Sequence, residues 1–545
     1  MEVVALKLVR NHPRQAVALF FLLLLLIGFA TVGSYGRAWD EPSEMKILRM
    51  ALKEYDALLP FDTPYSAFLQ NADIPRISES VEKDHGICLY YPLFWAFGTD
   101  AFSVQQLAVI WRCHTWGIFV LGLWALYSIC HRMGFSRLLS LTGVLVLFLS
   151  PRFFAEGHYN NKDIALLSLV LVLFWQMARM LEKPDWKRGL CFALCAGLCT
   201  ATRVIGAAYC GLFGLVIVLH LWLTKRLNRR TVGVGAFVLA ASVACYVLFT
   251  PAFLADPAGF IEYTLKNAVG FSRWHGNILF FGRIIACASE WPPRWYLPAF
   301  IAITTPLWAL ALLGFGSVHI IVRGFQKRLS VFSDANLVLR CTALGSWLIP
   351  LLGLVALRSL VYNGWRHVYF LYGPMVLCMV CGLDALFARC KSRIVLRRIL
   401  AAVTGLCLLL SAAGIAVNHP VQYAYYNALV PSENRWTQFE PDWWNLSCLT
   451  AVKELMKQTE GTLVIGASDR NTRSGLSHAA SMLPEGAVKV VNEYDSEVPD
   501  YLMANMGYAE IAGFEPSEHM TPVVVLEAYG SPVNIIYRLE GSEMP

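Results

Sequence analysis

Two adjacent carboxylates stand where the chain leaves its first long apolar run. Asp40 and Glu41 lie in the sequence Trp39-Asp40-Glu41-Pro42, a few residues after the apolar stretch 16–32. An ionised carboxylate at a membrane boundary loses hydration, so its presence there indicates a role in binding or in chemistry. Asp40 and Glu41 are therefore the first candidate site residues.

A second polar segment, residues 150–163, joins two apolar runs and is richer in charge than a short turn requires. We expect its carboxylates to face the Asp-Glu pair across a cavity, where clustered carboxylates perturb one another's pKa or share a divalent cation. The alternative is a solvated turn at the membrane surface, with its last residue at a helix start. The candidate residues of this segment are Glu156, His158, Lys162 and Asp163.

Basic side chains near the ends of apolar runs are candidates for binding a lipid phosphate. Arg203 interrupts the long apolar stretch 189–223, and Arg366 with His367 precedes another apolar run. A guanidinium matches phosphate oxygens in a bidentate way, so these residues together with Lys162 form a predicted cationic site. Arginine at a span end also extends its head group to the interface without binding a ligand, and that alternative stays open.

Aromatic residues concentrate in two further segments. Trp274 and His275 lie in one, and Trp295 with Tyr296 lies in a proline-rich stretch that leads into an apolar run. Such side chains stack on sugar rings and cover prenyl chains, which makes these four candidates for substrate binding. They are equally typical of the aromatic belt that anchors a protein at the membrane interface.

Composition shows which elements must position these residues. The 545 residues are 57% hydrophobic and only 15% charged, with a mean hydropathy of +0.50, which is typical of a multi-pass membrane protein and excludes a soluble globular one. The basic residues near 7–14 followed by the stretch 16–32 also resemble a signal peptide, but the charge pattern of the later loops requires this stretch as a true span.

Basic clusters alternate with loops of mixed charge along the chain, and the positive-inside rule places the clusters in the cytoplasm. With 189–223 counted as a hairpin turning at Arg203, the pattern predicts about eleven spans, a cytoplasmic amino terminus and an extracytoplasmic carboxyl terminus. The formal net charge of +7 belongs to these clusters and gives no indication of nucleic-acid binding. The clusters are Lys7/Arg10/Arg14, Arg132/Arg137, Lys183/Lys187/Arg188, Lys225/Arg226/Arg229/Arg230, Arg323/Lys327/Arg328 and Lys391/Arg393/Arg397/Arg398.

The chain divides into two parts. Residues 1–417 form the predicted transmembrane domain, with long outer loops at 34–102, 155–163 and 251–298. Residues 418–545 lack long apolar runs and predict a small extracytoplasmic α/β domain of strands, one amphipathic helix near 445–458 and a hairpin about Gly530. Three cysteines fall outside the spans, and one disulfide among them is a further possibility; they are Cys88, Cys287 and Cys448.

The motifs together resemble the GT-C glycosyltransferases, above all bacterial relatives of the protein O-mannosyltransferases and of the lipid A aminoarabinose transferase. The resemblance covers most of the chain and depends on the order and shared sidedness of the motifs, since each alone is weak. They are the Asp-Glu pair, Pro-Arg-Phe-Phe and Asn-Lys-Asp at 151–163, Pro-Arg-Trp-Tyr-Leu-Pro at 293–298, Gly-Trp-Arg-His at 364–367, the segment 419–427, and Asp-Trp-Trp-Asn-Leu-Ser at 442–447.

The resemblance implies an inverting transfer of a sugar from a polyprenyl-phosphate donor to a hydroxyl of a lipid, glycan or protein acceptor, at the outer face of a bacterial inner membrane. It assigns the general base to Asp40, with Glu41 as its neighbour and Asp163 as a second catalytic carboxylate. Lys162, Arg203, Arg366 and His367 would bind the donor phosphate. A divalent cation held by the three carboxylates is a further expectation.

The main competing interpretation is a transporter or flippase, because about eleven spans with polar residues could line a transport path. The halves of the sequence show no internal repeat, and charged residues crowd one side of the spans instead of their middle. A lipid-binding scaffold without turnover is a third interpretation.

Overall fold

The computed structural model of the chain describes residues 12–269, 274, 276–433, 435–492 and 498–540. Its first part begins with one membrane-length helix, continues with three helices at the surface, and then contains several further membrane-length helices. In chain order these are α1 (Pro13–Thr31), α2 (Glu41–Leu58), α3 (Ser66–Asn71), α4 (Phe94–Phe97), α5 (Val104–Arg132), α6 (Arg137–Phe148), α7 (Pro151–Tyr159), α8 (Asp163–Glu182), α9 (Trp186–Thr202), α10 (Ile205–Leu223) and α11 (Arg229–Leu248).

A surface segment with a two-stranded antiparallel hairpin then precedes the remaining long helices. The elements are α12 (Pro251–Ala255), α13 (Pro257–Val269), β1 (Asn277–Phe280), β2 (Arg283–Ala286), α14 (Tyr296–Thr304), α15 (Leu307–Lys327), α16 (Ala335–Ala356), α17 (Tyr372–Arg389) and α18 (Ile394–Val417).

Nine helices in the described part of the chain are long and apolar enough to cross a membrane, or ten if the bent pair α6 and α7 forms one span. Helix α9 has 17 residues and packs along α8 and α11, and adding it would give the predicted eleven. The predicted hairpin is confirmed, because α9 and α10 are separate helices on either side of Arg203. The chain is thus a polytopic α-helical membrane protein.

Helix α8 is the centre of the bundle. In its most apolar stretch 89% of the residues are buried, whereas only 6% are buried in the most apolar stretches of α11 and of α18. Helix α8 therefore contacts other helices on all sides, and α11 and α18 lie at the periphery. The bend of 72° between α6 and α7 occurs at Pro151, which has no N–H to continue the helix. The bend moves α7 and the start of α8 to one end of the bundle.

The helix ends fall into two groups. The basic connections between α5 and α6, α8 and α9, and α10 and α11 lie together, since Arg226 donates to the carbonyl of Leu181 and Arg132 pairs with Glu182. The start of α16 joins them, where Arg340 donates to Met133. The long loops, α2 and the carboxyl-terminal domain occupy the other end, which we call the loop end.

The carboxyl-terminal domain is a five-stranded sheet of order β4-β3-β5-β7-β6, in which β4, β3 and β5 are parallel and β7 is antiparallel to both of its neighbours. Its elements are α19 (Arg435–Gln438), α20 (Ser447–Met456), β3 (Leu463–Ala467), α21 (Arg470–Ala480), β4 (Val488–Val490), β5 (Tyr501–Asn505), α22 (Ala509–Ala512), β6 (Met520–Ala528) and β7 (Ser531–Leu539).

The predicted α/β domain is therefore present, and the hairpin of β6 and β7 turns at Gly530 as expected. The sequence pattern did not predict the central strand β5 or the helix α21. Asp469 caps that helix by accepting from the N–H groups of Asn471 and Thr472. Cys88, Cys287 and Cys448 are all free thiols.

Candidate active site

A cavity of about 610 Å³ opens at the loop end of the bundle. Its walls come from the start of α2, the connection from α7 to α8, the connection from α9 to α10, and the residues before α17. It brings together seven of the residues predicted from sequence. They are Asp40, Lys162, Asp163, Arg203, Trp274, Arg366 and His367.

The first ion pair of the cavity joins Asp40 to Arg366. Nη1 of Arg366 donates to Oδ2 of Asp40 at 2.8 Å. The Asp40 side chain is 38% exposed and that of Arg366 only 10%, so the carboxylate faces the open cavity while the guanidinium lies in its wall. Arg366 also lies over the ring of Trp444, with Cζ 4.5 Å from the ring centroid.

The second ion pair joins Asp163 to Arg203. Arg203 is extended at the break between α9 and α10, which directs its side chain toward the start of α8. Asn160 fixes the carboxylate from the other side: its Nδ2 donates to Oδ2 of Asp163 at 3.1 Å, and its Oδ1 accepts the N–H of Asp163 at 3.1 Å. Asp163 is therefore buried, oriented and compensated in charge.

The third polar cluster contains two residues that the sequence interpretation missed. Nε2 of His85 lies 2.7 Å from Oε1 of Glu44, and Nζ of Lys162 lies 2.9 Å from both His85 nitrogens. Burial lowers the pKa of Lys162 from 10.5 to about 8, because the attraction of Glu44 only partly offsets the lost hydration.

The pKa values of the other two members of this cluster are shifted in the direction that favours their charged forms. Burial alone would raise the pKa of Glu44, but the adjacent imidazole reverses this and lowers it to about 2. Burial alone would lower the pKa of His85, yet Glu44 raises it overall. Glu44 lies one helical turn after Asp40, the residue that immediately precedes α2. This spacing puts both side chains on one face of the helix, so helical periodicity in the sequence could have identified Glu44.

Glu41 does not reach the cavity, contrary to the expected cluster of four carboxylates. Its two oxygens accept from Nε and Nη2 of Arg112 at 3.0 to 3.1 Å, and both side chains are 0% exposed. Nη1 of Arg112 donates to the carbonyl of Tyr35. Since α2 starts at Glu41, adjacent side chains diverge by about 100° around the helix axis, and Glu41 points into the core while Asp40 faces the cavity.

Glu156 and His158 also lie outside the cavity, within the core around α7. Glu156 accepts from Tyr369 at 2.6 Å and from Asn160 at 2.7 Å, and Asn160 also donates to Asp163, so hydrogen bonds link the two carboxylates through Asn160. The ring of His158 packs on Trp116 with centroids 4.2 Å apart, and its nitrogens lie 3.0 Å from Thr31 Oγ1 and from the carbonyl of Phe154. The structure does not bring either residue to where a ligand would bind.

Of the aromatic candidates that the structure describes, one lines the cavity and two lie outside it. Trp274 stacks on Tyr362 with ring centroids 3.9 Å apart and lines the cavity. Trp295 is 52% exposed and packs on the hairpin, away from the cavity. Tyr296 is buried and accepts the N–H of Gly364 at 3.1 Å, where the positive φ of +72° suits glycine. His275 lies outside the described residues.

His367 follows Arg366 and lines the cavity beside it. Its ring meets Tyr362 edge to face, with centroids 4.5 Å apart. The segment before α17 thus contributes a guanidinium, an imidazole and an aromatic ring to one wall.

The three carboxylates expected to hold a metal ion do not form a shared ligand set. Asp40, Glu41 and Asp163 each pair with a different arginine. Within the described residues there is no group of three or more His, Cys, Asp or Glu side chains placed to hold a metal ion. The arrangement described here therefore does not fit a divalent cation on these residues.

One family model matches part of the chain. The model of the dolichyl-phosphate-mannose-protein mannosyltransferase family matches residues 84–254. No curated protein sequence matches the chain.

Several solved structures are similar to the chain at low identity. ArnT from Cupriavidus metallidurans in the apo state has 13% identity and a TM-score of 0.46, over 96% of this chain and 98% of that one. The same protein bound to undecaprenyl phosphate has 12% identity and a TM-score of 0.44, over 95% and 97%. The mycobacterial arabinofuranosyltransferase AftD has 15% identity and a TM-score of 0.42, over 97% and 40%. These values are too low to support an argument about function.

The segment that matches the family model contains Lys162, Asp163 and Arg203, which are three of the residues lining the cavity. Residues 84–254 are thus similar to the dolichyl-phosphate-mannose-protein mannosyltransferases, and over these residues the predicted resemblance to the protein O-mannosyltransferases is confirmed.

Proposed function

We propose that the protein is an inverting glycosyltransferase that moves a sugar from a polyprenyl-phosphate donor to an acceptor hydroxyl at the extracytoplasmic face of the membrane. The observation that carries the proposal is a single cavity in which the carboxylate of Asp40 faces three cationic side chains, those of Lys162, Arg203 and Arg366. The match of residues 84–254 to a glycosyltransferase family supports it independently.

Asp40 is the proposed general base. The acceptor oxygen attacks the anomeric carbon, its proton passes to the carboxylate, and the bond from the anomeric carbon to the phosphate oxygen breaks with its electron pair on the phosphate. Arg366 bonds to Oδ2 of Asp40, so it orients the carboxylate and leaves Oδ1 for the acceptor proton. A single attack from the face opposite the phosphate inverts the anomeric carbon.

The cationic side chains stabilise the leaving phosphate. Charge develops on that phosphate as the glycosidic bond breaks, and fixed cations in a wall of low water content stabilise such charge most strongly. Arg203 and Arg366 are each positioned by a carboxylate, and Lys162 lies beside His85, where the carboxylates of Glu44 and Asp163 attract its charge. His367 lies next to Arg366 in the same wall.

The remaining lining residues suit the other parts of the donor. The stacked rings of Trp274 and Tyr362 offer an aromatic face for a sugar ring. The apolar side chains at the ends of α10 and α16 suit the prenyl chain, since they give the cavity an apolar part of its wall. They include Val204, Ile205, Leu354 and Leu360.

The basic connections at the end of the bundle opposite the cavity support the sidedness. The positive-inside rule puts that end in the cytoplasm, and the cavity with the carboxyl-terminal domain then faces outward. A bacterial inner membrane is the proposed location, and the acceptor is a lipid, a glycan or a protein that presents a hydroxyl there.

The test is release of free polyprenyl phosphate from a panel of polyprenyl-phosphate sugars by the purified protein in lipid, with envelope extract as the source of acceptors. Wild type is compared with Asp40→Asn and with a matched control, Asp384→Asn. Asp384 is also a carboxylate paired with an arginine, Arg340, at 3.3 Å, but at the basic end of the bundle. Each reaction is repeated with a chelator, which tests the predicted divalent cation.

Sugar-selective release that Asp40→Asn loses and Asp384→Asn keeps would support the proposal. Release lost on chelation would support a metal ion bound in a geometry other than the one described here. No release from any donor would contradict a glycosyltransferase and favour a transporter, a flippase or a lipid-binding protein.

A further inference from the structure

The carboxyl-terminal domain contributes a side chain to the cavity wall. Trp444 lines the cavity together with Asp40 and Arg366. It belongs to the segment 439–446, which connects α19 to α20 at the base of the sheet domain. From the sequence alone this segment is expected in the soluble domain, without a role in the site.

The ring of Trp444 and the carboxylate of Asp40 hold the same guanidinium. Cζ of Arg366 lies 4.5 Å from the centroid of the Trp444 ring, and its Nη1 bonds to Asp40 at 2.8 Å. An aromatic face attracts a cation that lies within about 6 Å of it, most strongly when water is excluded. The ring therefore restricts where Arg366 can place its charge.

The backbone of Trp444 is tied to the turn that carries Asp40. The N–H of Trp39 donates to the carbonyl of Trp444 at 3.1 Å. A Cβ on Gly36 would lie 2.6 Å from the carbonyl of Leu446, so the two segments approach as closely as a glycine allows. A displacement of the segment that carries Trp444 would therefore also move the residue before Asp40.

A buried cluster of hydrogen-bonded residues, Asp442, Asn445 and Asn505, holds this segment to the sheet, and we call it the joint. Asp442 accepts from the N–H groups of Leu446 at 3.2 Å and Ser447 at 2.9 Å, which caps α20. Nδ2 of Asn505, on β5, donates to the carbonyl of Asp442 at 3.1 Å and to Oδ1 of Asn445 at 2.5 Å. Asp442 and Asn505 are both 0% exposed. The joint fixes the residues on both sides of Trp443 and Trp444.

Two glycines show how tightly the joint is packed. A Cβ on Gly507 would lie 2.6 Å from the carbonyl of Asp442, and a Cβ on Gly475 would lie 2.5 Å from Cβ of Asn445. Asn445 itself has a positive φ of +60°, a conformation that asparagine tolerates better than most residues. The sheet domain thus holds the segment in one conformation.

We propose that Trp444 is a positioning residue through which the carboxyl-terminal domain completes the active site, by keeping Arg366 beside Asp40 where both meet the donor phosphate and the acceptor hydroxyl. The inference rests on the proposed function, and it assigns the domain a part in donor binding. The joint of Asp442 and Asn505 transmits that constraint from the sheet to the ring.

The experiment uses the full-length protein in lipid and four variants. Trp444→Leu removes the aromatic face, and Trp444→Phe keeps one. Asn505→Ala opens the joint, and Asn534→Ala is its matched control. Asn534 lies directly opposite Asn505 on β7 and is 0% exposed, but its Nδ2 donates to Ser447 Oγ at 3.0 Å and to Cys448 Sγ at 3.7 Å instead of to Asp442 or Asn445. The readouts are kcat and KM for the donor, Kd for polyprenyl phosphate, and the unfolding temperature.

We expect Trp444→Leu to raise the donor KM and the Kd for polyprenyl phosphate about tenfold and, because the ring is buried, also to lower the unfolding temperature. Trp444→Phe should recover most of the affinity. Asn505→Ala should weaken donor binding, whereas Asn534→Ala should lower only the unfolding temperature. Wild-type KM and Kd in Trp444→Leu, in a protein that does transfer sugar, would overturn the inference and leave the proposed function intact. A wild type that neither binds nor transfers would overturn both.

Discussion

Asp40 and Glu41 are neighbours in the chain, and each pairs with an arginine, but the two pairs differ in their surroundings. The Asp40 side chain is 38% exposed to the cavity and accepts one bond from Arg366. Glu41 is 0% exposed and accepts three bonds from Arg112, which is equally buried. The first carboxylate keeps an oxygen for a ligand, while the second uses both oxygens to compensate a buried charge. Ion pairing alone therefore does not distinguish a site residue from a core residue.

The largest expected effect comes from removing the cavity carboxylate. Asp40→Asn should lower the rate of transfer by about 10²-fold to 10⁴-fold, since the amide cannot accept the acceptor proton. The unfolding temperature should stay near that of wild type because the side chain is partly solvated. Turnover and unfolding temperature are measured on the same preparation, and wild-type turnover in a folded Asp40→Asn protein would contradict the role of Asp40.

Removing the buried carboxylate should act on stability instead. Glu41→Gln leaves the Arg112 guanidinium without its counter-charge, which costs about 3–5 kcal/mol in the free energy of unfolding. The molecules that remain folded should turn over at the wild-type rate.

The control for Glu41 is the double variant Glu41→Leu with Arg112→Leu, which removes both charges and should recover part of the lost stability. The measurement is unfolding by denaturant together with turnover per folded molecule. A stable Glu41→Gln protein without activity would instead make Glu41 a catalytic residue.

The cation of the cavity pair should matter for the donor. Arg366→Ala should weaken donor binding about tenfold to a hundredfold, the effect expected from losing a charge-assisted hydrogen bond to phosphate. Arg340→Ala, which removes the partner of Asp384 at the basic end, is the matched control and should leave donor affinity unchanged. Titration with polyprenyl phosphate gives both values, and equal affinities in the two variants would argue against phosphate binding by Arg366.

Lys162 should make donor binding depend on pH in the alkaline range. Its pKa is about 8, so it is charged below pH 8 and loses its charge as the pH rises through that value, and affinity for the phosphate should fall accordingly. Glu44, with a pKa of about 2, stays ionised over the whole range and contributes no slope. Lys162→Met should bind more weakly and lack the decline near pH 8; the same decline in the variant would exclude Lys162 as its source.

The smallest effects are expected outside the cavity. Trp295→Ala removes an exposed ring and should leave the donor KM unchanged. Tyr296→Phe removes the acceptor of the Gly364 N–H and should cost about 1–3 kcal/mol in stability. A raised donor KM with unchanged stability in Trp295→Ala would place that residue in the site after all.

Much of the fold could be predicted because hydropathy and charge act over short stretches of chain. The apolar runs, the hairpin at Arg203 and the alternation of basic connections all follow from local composition. Strand β5 was missed because Tyr501–Asn505 is short and buried throughout, so it lacks the alternating pattern of a half-exposed strand. Helix α21 was missed because its cap, Asp469, resembles a loop residue.

The sequence by itself determined which residues could do the chemistry, since carboxylates, guanidinium groups and an ammonium at span ends are too costly to place there without a use. The tertiary structure decided which of them meet. Rotation about α2 separated Asp40 from Glu41, the core around α7 enclosed Glu156 and His158, and the loop end brought Glu44 and His85 to Lys162. The packing of the sheet domain brought Trp444 to Arg366 from a distant part of the chain. Such contacts depend on long-range packing, which no local pattern of residue types encodes.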